Sequence, residues 1–171
     1  TNRSKFFRGE IDKYNWVDIG SSFLPNELTA AFLFAQMEEA DEIIERRLKI
    51  WEIYHSAFAS LEENQELRRP IIPKDCRING HITYIISRSL NERTQLISHL
   101  KKQRIAAIFH YMPLHSSPMG KKYCYAHGNL TNTDQISDRL LRLPMYCEME
   151  IEEVDRVVVA VKTFYKQRKV V

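Results

Sequence analysis

Apolar residues fall at helical spacing over two long stretches of the chain. After Pro25, Asn26 is placed to cap a helix, and no glycine or proline follows until Pro70. Leu28, Ala31, Phe32 and Ala35 stand at i, i+3, i+4 and i+7. The stripe resumes with Ile44, Leu48, Trp51, Tyr54, Phe58 and Leu61. A continuous helix from about 26 to 60 would be roughly 50 Å long. The pattern thus predicts either a spine joining two parts of a larger molecule or two helices with a bend near Glu38 to Asp41. Near the other end, Val154, Val157, Val158, Val161, Phe164 and Tyr165 predict a helix over about 151–167, with Lys162, Lys166, Arg168 and Lys169 suited to its C-terminal dipole.

Between these stretches the period shortens. Ile82-Thr-Tyr-Ile-Ile86 is β-branched and aromatic and predicts a buried strand. Asn91 can cap a helix carrying Leu96, Ile97 and Leu100, and Ile105 to His110 reads as a second strand. Pro113, Pro118 and Gly120 set a loop. Thr131 and Asp134 offer a capping box before Ile136, Leu140 and Leu141, and Leu141-Arg-Leu143 ends as a short strand at Pro144. The predicted class is α/β, a small sheet with helices mainly on one face. Residues 1–25 mix aromatics with Gly9 and Gly20 and have no periodic face, so they are expected to pack against something outside themselves.

Composition narrows the chemistry. The 171 residues are 44% hydrophobic and 27% charged, which suits one ordinary globular core. The net charge of +3, with acids and bases interleaved as in Glu42 to Arg47, argues against a nucleic-acid surface. Three cysteines without C-x-x-C spacing argue against a disulfide framework or a zinc site and fit the reducing cytoplasm. No apolar run reaches about 18 residues, so no membrane span is expected. Glycine-rich nucleotide loops are missing too.

Two stretches could carry chemistry. His110 and His115 bracket Tyr-Met-Pro-Leu, placing two imidazoles and a phenol by a proline-stiffened turn at a strand end. That reads either as a polar cluster meeting a substrate or as loop histidines with local hydrogen bonds. No carboxylate or thiol stands at ligand spacing for a metal. Gly20-Ser21-Ser22 precedes the Asn26-capped helix, and reads as an anion contact or as an ordinary turn.

Four motifs in order carry a resemblance. Gly20-Ser-Ser-Phe-Leu-Pro-Asn-Glu-Leu-Thr-Ala-Ala31 resembles the G-x-N-x-R-x-x-x-x-x-A-A stretch of the DegT/DnrJ/EryC1/StrS aminotransferases. His81-Ile-Thr-Tyr-Ile85 resembles their H-x-F/Y-x-I strand, His110-Tyr-Met-Pro-Leu-His115 their H-Y-x-P-L-H turn, and Leu140-Leu-Arg-Leu-Pro-Met145 their x-L-x-L-P-L strand. The opening Thr1 to Trp16, followed by Asp18-Ile-Gly-Ser-Ser22, is similar to a branch making dTDP-linked amino sugars for surface polysaccharides such as enterobacterial common antigen.

The resemblance implies part of a fold type I enzyme dependent on pyridoxal 5′-phosphate (PLP), a homodimer that moves an amino group from glutamate to a dTDP-4-keto-6-deoxy sugar. It implies a division into residues 1–25, a loop region of the large domain and dimer interface; 26–69, a connecting helix; and 70–171, a small C-terminal α/β domain. The Schiff-base lysine is expected upstream of Thr1, and neither Lys5 nor Lys13 matches its context. The chain alone is therefore expected to be inactive, and oligomeric or poorly soluble. Ser22 matches the asparagine that reaches the PLP phosphate of the other subunit, with one donor in place of two. Leu24 stands where many relatives have arginine. His110, Tyr111 and His115 match the turn bordering the sugar-nucleotide site, and Phe6, Phe7, Arg8, Tyr14 and Trp16 fall in the branch-specific loop. Two other readings stay open: a sugar dehydratase using PLP or its amino form, with histidine replacing the lysine, and a non-catalytic module for dimerisation or sugar-nucleotide binding.

Overall fold

A computed structural model describes Lys5, Phe7, Arg8, Glu10 and residues 25–168. The chain divides into two compact units, Thr1–Ala40 and Asp41–Val171. In the first, helix α1 (Glu27–Glu38) starts as expected, with the Asn26 carboxamide accepting from the Thr29 N–H at 2.8 Å. None of its residues is buried, and Leu28, Phe32 and Phe34 are exposed. The long helical pattern is interrupted at Glu39, so it is carried by two helices in place of one.

The next helix, α2 (Ala40–Ala57), buries Ile50, Trp51 and Tyr54 and sets Glu42–Arg46 and Glu45–Lys49 pairs on its outer face. A short α3 (Ala59–Glu63) follows. It closes through Gln65 at φ +57°, with the Glu66 N–H on the Leu61 carbonyl and the Gln65 N–H on that of Glu62. This is a Schellman closure made without glycine. It delivers the two-residue strand β1 (Leu67–Arg68), which the sequence pattern had not predicted.

Strand β2 (Tyr84–Ser87) leads to helix α4 (Leu90–Lys102). Its cap is Ser89 rather than Asn91: the Ser89 hydroxyl accepts from the Glu92 N–H at 3.1 Å. Glu92 is buried there and accepts from Arg88 Nε at 2.9 Å and from the Tyr165 hydroxyl at 3.1 Å. A second glycine-free closure, at Arg104 (φ +58°), ends α4 and sends Ile105 into the core. Only β3 (Ile108–Phe109) of the predicted 105–110 strand pairs.

Helices α5 (Pro118–Tyr123) and α6 (Thr131–Arg139), strand β4 (Leu140–Arg142) and helix α7 (Ile151–Arg168) complete the chain. The sheet is antiparallel in the order β1-β2-β4-β3, with Leu141 opposite both Ile85 and Phe109. Every apolar residue predicted on the α7 stripe is buried. These side chains join Tyr54, Phe58, Leu96 and Leu100 in one apolar cluster around the central strands.

Where α2 and α3 meet the sheet, Trp51 stacks on His55 with ring centroids 4.5 Å apart. Arg69 donates to Glu62 at 2.7 Å and to the His55 carbonyl at 2.6 Å. Burial, then the Arg69 charge, holds the His55 imidazole below its ordinary range, with Glu62 opposing. The unfolded chain thus takes up this proton first as the medium is acidified. Stability linked to His55 is full above the ordinary histidine value near 6.5 and is lost as pH falls towards the lower folded value. Urea midpoints should therefore fall between about pH 7 and pH 5, and His55→Gln should flatten that decline. An unchanged slope in the variant would contradict the assignment.

Candidate active-site turn

The candidate residues sit where the chain leaves the edge of the sheet. Ile108 and Phe109 are held on β4, opposite Arg142 and Leu141. Beyond them the chain turns through Pro113 and enters α5. Here Ser117 caps the helix by accepting from the Gly120 N–H at 3.0 Å, and Pro118 fills its first turn, where a missing N–H costs nothing. The Ser117 hydroxyl donates in turn to the Leu114 carbonyl at 2.7 Å. Gly120 passes so close that a Cβ there would lie 1.7 Å from that oxygen.

His110, Tyr111 and His115 thus share one turn. The His110 and Tyr111 rings meet edge to face, centroids 5.0 Å apart. His110 is half-buried, and its Nδ1 is buried without a hydrogen-bond partner. Tyr111 is 81% exposed. His115 Nε2 lies 3.1 Å from the Asp134 carboxylate, its side chain only 18% exposed. The hydrogen bond from His115 is the largest cause holding the Asp134 carboxyl below its ordinary range; Ser116 and the charge of Lys121 act in the same direction. For a depressed carboxylate the sign is that of acid loss, so the contact persists at neutral pH and is lost as Asp134 protonates.

This pairing replaces the capping box expected from Thr131 and Asp134. Thr131 is already inside α6, whose N-cap, Leu130, makes no side-chain hydrogen bond. One helical turn beyond Asp134, the Ser137 hydroxyl donates to the Tyr111 carbonyl at 3.0 Å. Arg93 ties the assembly to α4: it donates to the Ser137 carbonyl at 3.2 Å and lies 5.5 Å from the centroid of the Phe109 ring. Asp134, Ser137 and Arg93 were not singled out from sequence for this region, because nothing local links them to partners 16 or more residues away. Around it Met112, Leu114, Met119 and Tyr123 are exposed.

Ser22, Leu24, Phe6, Tyr14 and Trp16 lie outside the described residues. Phe7 and Arg8 are exposed, and Arg8 pairs with Glu10 at 2.6 Å. A Schiff-base lysine needs a pocket that lowers its pKa and excludes water. Every lysine among the described residues is exposed, so none is enclosed in such a pocket by this chain's described residues alone. Among them, no group of three or more His, Cys, Asp or Glu could hold a metal ion, and no helix is long and apolar enough to cross a membrane.

Residues 2–162 match the DegT/DnrJ/EryC1/StrS aminotransferase family. The uncharacterized protein MJ1066 of Methanocaldococcus jannaschii is 30% identical over 160 residues, covering 91% of this chain and 41% of that protein. GDP-perosamine synthase of Escherichia coli O157:H7 is 24% identical over 171 residues, 98% of this chain and 45% of its own. The chain thus spans less than half the length of these curated relatives. Among solved structures, DesV of S. venezuelae, in complex with a ketimine intermediate, superposes with a TM-score of 0.79 at 25% identity, covering 95% of this chain and 43% of DesV. The fold is that of the sugar aminotransferases, which depend on PLP. The chain belongs to the DegT/DnrJ/EryC1/StrS aminotransferase family.

Proposed function

We propose that this chain is part of a PLP-dependent aminotransferase that transfers the amino group of glutamate to a dTDP-4-keto-6-deoxy sugar, of the dTDP-4-amino-4,6-dideoxygalactose transaminase type. In this reading it works as a cytoplasmic homodimer in surface-polysaccharide biosynthesis. His110, Tyr111 and His115 border the sugar nucleotide, and Ser22 contacts the PLP phosphate of the other subunit. PLP supplies the electron sink; the Schiff-base lysine is none of those described. The observation that carries the reading is the clasped turn, which presents two imidazoles and a phenol at the sheet edge in a chain of this family. The opening Thr1 to Trp16 supports the dTDP branch, whereas the relative GDP-perosamine synthase bears the name of a GDP-sugar enzyme.

Two measurements test it. Borohydride reduction of the PLP-loaded protein, followed by peptide mapping, should place no pyridoxyl-lysine within residues 25–168. In the complete enzyme of which this chain is part, His110→Ala and His115→Ala should each raise the KM for the keto-sugar nucleotide by about ten-fold, the scale of one lost polar contact. A label on a lysine in that range would overturn the lysine assignment. Preference for a GDP sugar over a dTDP sugar would overturn the substrate class.

A further inference from the structure

Helix α6 touches both ends of the candidate turn from one of its faces. Asp134 and Ser137 are three residues apart and so project on the same side. Asp134 faces His115 Nε2 at 3.1 Å, and Ser137 donates to the Tyr111 carbonyl at 3.0 Å. Neither side chain is used on the backbone of α6 itself: the Asp134 carboxylate meets His115 and the Ser137 hydroxyl meets the Tyr111 carbonyl. A carboxylate facing Nε2 selects the ring form that carries its proton there, leaving Nδ1 as an acceptor in the neutral imidazole. Such an acceptor suits a hydroxyl donor, of which a sugar has several. Arg93 holds the clasp from behind, through the Ser137 carbonyl and the Phe109 ring.

We infer that Asp134 and Ser137 are positioning residues for the sugar nucleotide. Asp134 fixes the ring and proton of His115, and Ser137 fixes the backbone at Tyr111. The inference rests on the reading of the turn as the sugar-nucleotide border. The test is binding of dTDP-glucose, a stable probe, to the PLP-loaded protein, alongside the His115 Nε2-bound proton in protein labelled with 15N-histidine. In the unaltered protein that proton is protected from exchange; Asp134→Ala abolishes the protection and weakens binding by about ten-fold. Asp134→Asn retains an acceptor and recovers most of the affinity, which a merely structural role would not require. The Asp134→Ala/His115→Ala pair binds no worse than His115→Ala alone, because the two act as one unit. Normal binding by Asp134→Ala beside impaired His115→Ala overturns the positioning role and leaves the turn reading intact. Normal binding by His110→Ala and His115→Ala overturns the turn reading, and the positioning role with it.

Discussion

Leu141→Ala is expected to destabilise the protein by about 2–5 kcal/mol, the range for emptying a fully buried leucine site. Leu141 is 0% exposed and stands at the middle of β4, paired on one side with Ile85 and on the other with Phe109. Its side chain stands off the sheet in the apolar cluster, and a backbone paired on both sides is not free to move into the cavity. A domain of this size holds only about 5–15 kcal/mol in total, so the loss is a large share of it. The urea midpoint should fall with the m-value unchanged. Ile108→Ala, on the exposed edge strand, is the comparison: its side chain is 52% exposed and should change stability by no more than about 0.5 kcal/mol. The link to function follows from topology. Strand β3 has only two paired residues, and both are held by β4. Whatever loosens β4 loosens the base of the His110–His115 turn. A loss below about 1 kcal/mol would show that the central ladder is not what anchors the sheet.

The elements readable from sequence were those whose own residues decide them. The α7 stripe, Val154 to Tyr165, repeats at helical spacing for about three turns and is buried throughout, because the cluster it meets is as apolar as itself. The family motifs likewise placed His110, Tyr111 and His115 in one turn, because Pro113 and Pro118 punctuate that segment. Element ends were harder. Gln65 and Arg104 take up the left-handed conformation that glycine usually marks, and nothing in a glutamine or an arginine announces it. The start of α4 was legible in principle, as Ser89-Leu-Asn-Glu92 is a capping box, but Asn91 competes for the same role. Asp134 shows the limit most clearly. Its local pattern with Thr131 satisfies the rule for a cap, yet the carboxylate is used by a histidine 19 residues earlier in the chain. The Leu28–Phe32 face of α1 is the opposite case. Apolar residues stand at helical spacing there, but Leu33, Phe34 and Met37 make the other sides apolar too and no residue of the helix is buried, so periodicity identified the helix without identifying a partner.

Gly120→Ala should produce the largest loss at the candidate site for the smallest chemical change. The added methyl would sit 1.7 Å from the Leu114 oxygen, 2.8 Å from the Leu114 carbon and 2.9 Å from Ser117 Oγ. The first two are backbone, so no rotamer change relieves them. Either α5 or the chain at Leu114 must move. Leu114 accepts from the Ser117 N–H at 3.2 Å and from its hydroxyl at 2.7 Å, so both bonds are strained at once. The residue after Leu114 is His115, and a shift that clears the methyl exceeds the tolerance of a 3.1 Å contact to Asp134. Overpacking of this kind costs about 1–3 kcal/mol, but most of the damage should be local, since α5 is six residues long and only Gly120 in it is buried. Sugar-nucleotide affinity should drop by more than about ten-fold, and the protected His115 proton should disappear. Gly128→Ala separates this from a general intolerance of side chains at glycine. Gly128 has φ +67° and open space around its Cβ position, so alanine there meets backbone strain of about 1 kcal/mol without a clash. Its affinity should stay within about two-fold of the unaltered protein. If Gly120→Ala kept both the affinity and the protected proton, the close approach at Leu114 would not be what holds His115 in place.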